Sequence, residues 1–126
     1  RSYFHDLVVI PGQPPTLLLT TANGTPPAWM RKEKAQAAIF RSTDSGSTWH
    51  QLTGGLPASM ERMVWNLSVD PNEPDHLYAG TGEAQGQRSQ DAATRGGVLA
   101  SRDRGDTWDQ IYEGSNTVRS VCVGLS

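Results

Sequence analysis

The chain has 126 residues, 13 of them glycine and 8 proline, with its apolar residues set in short β-branched runs, a make-up that favours strands and turns over helices and gives an all-β reading. Eleven Lys and Arg stand against thirteen Asp and Glu, a net charge of −2 with no basic block, so nucleic acid is not an expected partner. No run approaches the roughly 18 apolar residues that cross a bilayer, no basic start followed by an apolar core marks a signal peptide, and the lone Cys122 leaves no internal disulfide.

In chain order, a first strand is predicted at 7–10, a proline-containing turn at Pro11 and Pro14, and a second strand at 16–21. Proline suits that connection because it presets a turn dihedral and cannot donate to a ladder. A long polar segment follows, "ANGTPPAWMRKEKAQA" at 22–37, and then strands at 38–41 and 49–52 joined by "RSTDSGSTWHQL" at 41–52. The same order then returns. Strands are predicted at 66–70, 76–80, 97–100 and 108–112, with "GEAQGQRSQDAATRG" as the second long segment and "ASRDRGDTWDQI" at 100–111 as the second turn. Both long segments leave room for short helical turns, at 30–37 and 89–94.

The recurrence is close. Ser42, Asp44, Gly46, Thr48 and Trp49 reappear 59 residues on as Ser101, Asp103, Gly105, Thr107 and Trp108. Upstream, His5 aligns with Trp65, Pro11 with Pro71, Pro14 with Pro74 and Leu17 with Leu77 at an offset of 60. Four short strands per repeat is the blade of a β-propeller. Blade 1 is expected at about 3–56 and blade 2 at about 62–114, and "TVRSVCV" begins a third at about 117–124. Two blades cannot close a ring that takes about four to eight. The rest of the propeller is therefore expected from the same chain or from a partner chain.

Alternating strands put the first-to-second and third-to-fourth connections at one end of the sheets. The long segments and the inter-blade link "GGLPASMER" at 54–62 fall at the other. Long polar loops grouped on one face are where recognition is expected, so the candidate ligand-binding residues are Trp29, Arg62, Glu83 and Arg88. An exposed indole at Trp29 would stack on a sugar ring or anchor a partner. Trp65, entering a first strand, is expected in the core.

Both turns match the S-x-D-x-G-x-T-W pattern and resemble Asp-box repeats, also called bacterial neuraminidase repeats, which recur in sialidases, sortilin-like receptors, xyloglucanases and bacterial assembly-factor propellers. The resemblance covers essentially the whole chain. It implies a hairpin between third and fourth strands, in which Asp44 or Asp103 accepts backbone N–H groups of the turn and the glycine supplies a positive φ. Because no histidine recurs with the box, a Ser-Asp catalytic pair lacks its base.

The resemblance to sialidases would also bring an F/Y-R-I-P motif, but "FRST" at 40–43 only begins like it. A two-carboxylate glycosidase needs an acid and a base or nucleophile roughly 5 to 9 Å apart. The carboxylates available on the loop face are Glu33, Glu61, Glu83 and Asp91, of which Glu83 and Asp91 are the catalytic candidates. "GTGEAQG" from Gly80 misplaces the third glycine of a dinucleotide loop. His5, His50 and His76 lack metal-site spacing, so neither a metal nor another cofactor is expected. The sequons at Asn23 and Asn66 matter only in a secreted eukaryotic source.

The leading expectation is a non-enzymatic binding or scaffold segment that recognises a glycan or protein through the loop face. The alternative is part of a sialidase-like or xyloglucanase-like glycoside hydrolase whose other catalytic residues lie outside the segment. A third is an assembly factor docking on another protein. By resemblance alone, an extracytoplasmic or secreted location is favoured.

Overall fold

The computed structural model describes residues 3–22, 36–56, 60, 62–82 and 96–114. Eight strands form: β1 (Tyr3–Ile10), β2 (Thr16–Ala22), β3 (Ala38–Ser42), β4 (His50–Gln51), β5 (Met63–Val69), β6 (Leu77–Gly82), β7 (Gly96–Ser101) and β8 (Asp109–Gly114). They make two four-stranded antiparallel sheets, each a meander in chain order, β1-β2-β3-β4 (sheet 1) and β5-β6-β7-β8 (sheet 2). No helix occurs among the described residues.

The two repeats share one register. Leu19 lies opposite Phe40 in sheet 1 and Ala79 opposite Leu99 in sheet 2, which are equivalent pairs. Both first strands carry an irregularity at the same place, between Phe4 and Leu7 and between Val64 and Asn66, where an extra residue twists the edge strand. These first strands start earlier than the apolar runs suggested, at Tyr3 and Met63, because pairing resumes beyond the bulge. The fourth strands start one residue later than expected, at His50 and Asp109. Trp49 and Trp108 precede them, each indole turned back to donate to the turn's Gly46 or Gly105 carbonyl at 3.1 and 2.9 Å.

Alternation decides how the sheets meet. Along β2, Thr16, Leu18, Thr20 and Ala22 are buried while Leu17 and Leu19 are half-buried. The first set faces sheet 2 and joins Ile10, Ile39 and Leu52 in one core with Val64, Leu67, Leu77, Ala79, Leu99 and Trp108. Trp65, 6% exposed, belongs to this core. In repeat terms, the face of sheet 2 that carries Leu67, Leu77 and Ala79 packs on the opposite face of sheet 1, the one that carries Leu18 and Ile39. The stack is therefore head-to-tail, and one face of each sheet is left uncovered.

At one end of sheet 2 the row Met63, Gly82, Gly96, Gly114 runs straight across. β2 and β6 end, and β3 and β7 begin, at this end; the turns at 43–49 and 102–108 lie at the other. Ala37, within the expected helical turn at 30–37, is a buried bridge partner of Met60 instead. Its amide and carbonyl both pair with Met60, at 2.7 and 2.9 Å, so the link after β4 returns to extend sheet 1. Residues 30–35 of that segment, the segment at 89–94 and the strand expected at 117–124 lie outside the described residues.

Candidate functional site

The two sequence-matched turns are superimposable in their bonding. Ser42 Oγ donates to Asp44 Oδ1 at 2.8 Å and accepts the Gly46 amide at 2.8 Å. Asp44 takes the Thr48 amide at 2.8 Å and the Thr48 hydroxyl at 2.5 Å. In the second turn Ser101, Asp103, Gly105 and Thr107 repeat each bond, at 2.8, 2.8, 2.8 and 2.6 Å. Both turns need left-handed backbone twice, at Ser45 (φ 60) and Gly46 (φ 92), and at Arg104 (φ 58) and Gly105 (φ 96), and glycine meets that demand without a Cβ clash. Hydrogen bonds from Thr48, with Ser42 adding to them, hold the Asp44 carboxyl down at about 2. Thr107 does the same to Asp103, also about 2. A carboxylate so bound is a weak proton acceptor near neutral pH, and both serines are occupied within their own turns.

The surroundings of the turns differ. The second seats in a socket on sheet 1: Arg41 Nη1 donates to the Arg104 carbonyl at 2.9 Å and pairs with Asp106 at 2.7 Å, and the Trp108 amide donates to the Gly54 carbonyl at 2.9 Å. A Cβ on Gly54 would fall 1.9 Å from the Asp106 carbonyl, and one on Gly55 2.2 Å from that of Trp108. Only glycine permits this approach. The Gly-Gly doublet was the available sequence signal for a close backbone contact; nothing in "FRST" marked Arg41 as its partner.

Two grooves formed by described residues lie on the uncovered sheet faces. One, of about 300 Å³, is lined by Phe4, Leu19, Thr21, Phe40 and Trp49. The other, of about 340 Å³, is lined by Tyr78, Ala100, Ser101, Arg102, Asp109 and Ile111.

Of the sequence-derived candidates, Trp29, Glu83, Arg88 and Asp91 lie outside the described residues, as do Glu33 and Glu61. Arg62 is described. It stands just before β5, at the loop end, 3.5 Å from Glu113 Oε2, and Glu113 also accepts from Gln110 at 2.7 Å. The histidines stay apart: the His5 ring meets Trp65 edge-on at 5.1 Å, His50 sits opposite Arg41 and His76 lies 3.1 Å from Glu73. Among the described residues no three His, Cys, Asp or Glu side chains gather as a metal set, and no helix is long and apolar enough to cross a membrane.

No family model matches the chain. Among curated proteins it is similar to a xyloglucanase from a Paenibacillus species, 34% identical in an 85-residue alignment that covers 63% of this chain. The chain spans 7% of that protein's length.

Proposed function

We propose that the chain is a two-blade segment of an Asp-box β-propeller that acts as a scaffold, presenting the loop end for recognition of a glycan. Blade 1 is 3–56, blade 2 is 62–114, and 117–124 begins a third; further blades come from the rest of the polypeptide or from a partner chain. One observation carries the reading. Two turns with identical internal bonding end two meanders of identical register, stacked by non-identical faces, which is a step that can be repeated. The bonding also supports a structural use of Ser42, Asp44, Ser101 and Asp103 over a catalytic one.

The likeness to a xyloglucanase favours a second reading, in which the segment belongs to a glycoside hydrolase and Glu83 or Asp91 takes part in turnover. Fold alone would not choose between them. The test is electrophoresis of the chain through gels containing xyloglucan, alongside an assay for released reducing ends. Retardation that Trp29→Ala or Arg88→Ala weakens by severalfold, without hydrolysis, is the expected outcome. Hydrolysis lost in Glu83→Gln or Asp91→Asn would install the second reading, and an unretarded, inactive chain would remove the glycan from both.

A further inference from the structure

Five large hydrophobic side chains are more than half exposed among the described residues: Phe4 at 61%, Leu7 at 53%, Val9 at 51%, Ile111 at 58% and Tyr112 at 55%. They are not scattered. Phe4, Leu7 and Val9 sit on the outer face of sheet 1, where each pairs across to Thr21, Leu19 and Leu17. Ile111 lines the groove on the free face of sheet 2, and Tyr112 lies opposite Val98 on that same face. Contiguous apolar surface of this kind marks a place where something docks.

We propose that the chain stacks head-to-tail on a second copy of itself, the free face of sheet 2 covering the outer face of the partner's sheet 1. The inference continues the sheet 1–sheet 2 contact already present within one chain. The outer face of sheet 1 is, position for position, the face by which sheet 2 is held: Leu7 corresponds to Leu67, Leu17 to Leu77 and Leu19 to Ala79. The free face of sheet 2 likewise corresponds to the face that does the holding, with Tyr78 at Leu18, Val98 at Ile39 and Ile111 at Leu52.

The substitutions between the repeats compensate across this second contact. The outer face has gained bulk, with Phe4 where sheet 2 has Val64, Leu19 for Ala79 and Phe40 for Leu99. The face that would meet it has mostly lost bulk, with Gly80 where sheet 1 has Thr20, Val98 for Ile39 and Ala100 for Arg41; Tyr78 for Leu18 runs the other way. Charge follows the same rule. Within the chain Arg41 meets Asp106; in the second contact their equivalents are Ala100 and Ser47, both neutral, while Arg102 and Asp109 line the groove on the free face. An interface of two different faces propagates as an open stack unless its rotation closes a ring. The inference rests on the stacked-repeat geometry of the proposed propeller and not on any glycan; the second copy's sheet 1 takes the place on sheet 2 that a third blade begun by 117–124 would hold, so the two are alternative occupants of that face.

Sedimentation of the chain over a range of concentrations tests it. The wild type is expected to gain mass with concentration. Leu7→Lys, on the outer face, and Ile111→Lys, on the free face, are each expected to be monomeric while keeping the wild-type circular dichroism, and their equimolar mixture should form dimers and nothing larger, because each retains the face that the other lacks. A wild type that stays monomeric to its solubility limit would overturn the proposal. So would either folded variant that still self-associates, or a mixture that stays monomeric. A discrete closed trimer or tetramer would support the stacking while removing the reading of the chain as part of a larger propeller. Xyloglucan retardation of the monomeric variants is read separately, so the two ideas fail independently.

Discussion

The turns at 42–49 and 101–108 share every internal hydrogen bond, yet Trp49 is half-buried over an open groove and Trp108 is 2% exposed inside the stack. What they have in common is local: in each, a serine, an aspartate and a threonine make the same set of bonds within eight residues. What separates them is the neighbour. The first turn has no described sheet beyond it, whereas the second has Arg41, Leu52, Gly54 and Gly55 pressed against it. A short motif can thus be complete as a turn and still leave its role in packing undecided.

The largest way to sharpen the contrast is to remove the rings. Trp108→Ala empties a core site and should cost about 3–5 kcal/mol, while Trp49→Ala, with less surface to lose, should cost about 1–2 kcal/mol. Denaturant melts of the two variants measure the gap, and equal losses would mean that the outer face is already covered in solution.

A smaller difference is expected at the glycines. Both sit at positive φ, so alanine strains either turn by about 1 kcal/mol. A Cβ at Gly105 would also lie 2.8 Å from Leu52 Cδ1, whereas at Gly46 the nearest atoms are 3.8 Å away. Gly105→Ala should therefore exceed Gly46→Ala by about 1–2 kcal/mol in the same melts.

The smallest difference is expected on acidification: none. Asp44 and Asp103 each fall from 3.8 to about 2 by bonds made inside their own turns. A depressed folded-state value means that the stabilisation is present in full above the unfolded value and disappears as the pH drops from about 4 through about 2. Carbon-detected titration should place both carboxyl midpoints near 2. A midpoint near 3.8 for Asp103 alone would show that docking disturbs the turn and would break the comparison.

The repeat, the strand order and the two ends of the sheets were legible because they depend on apolar alternation, proline turns and a duplicated motif, all of which are local patterns. The tryptophans were assigned to strands because a ring after a turn reads as β; their indole bonds to the Gly46 and Gly105 carbonyls are invisible in a pattern of apolar and polar letters. The bulges went unseen for a related reason: one extra residue at His5-Asp6 or Trp65 changes no composition, only register. The socket for the second turn needs residues more than 50 positions apart, Arg41 with Asp106 and Gly54 with Trp108, and no single-sequence periodicity links them. Of the candidate ligand-binding residues the structure describes Arg62, and it adds what its position did not suggest, the adjacent Glu113.

Asp6 belongs to both sheets. The extra residue in β1 turns this side chain outward from the edge, where one oxygen accepts the Leu7 amide at 3.0 Å and the other accepts the Leu67 amide of β5 at 2.8 Å. Leu7 and Leu67 are the same position in the two repeats, and both are on first strands at sheet edges. One carboxylate therefore bonds to both first strands, in addition to the bonds of Arg41 and Gly54 that hold the second turn on sheet 1. Parting the sheets would strip a backbone donor and a carboxylate of their partners in the same event that exposes Leu18 and Ile39. The Asp6 bond to Leu67 couples the two repeats, and the described sheets are expected to melt together in a single transition and not sheet by sheet, as coincident thermal melts followed by Trp fluorescence and far-UV circular dichroism would show.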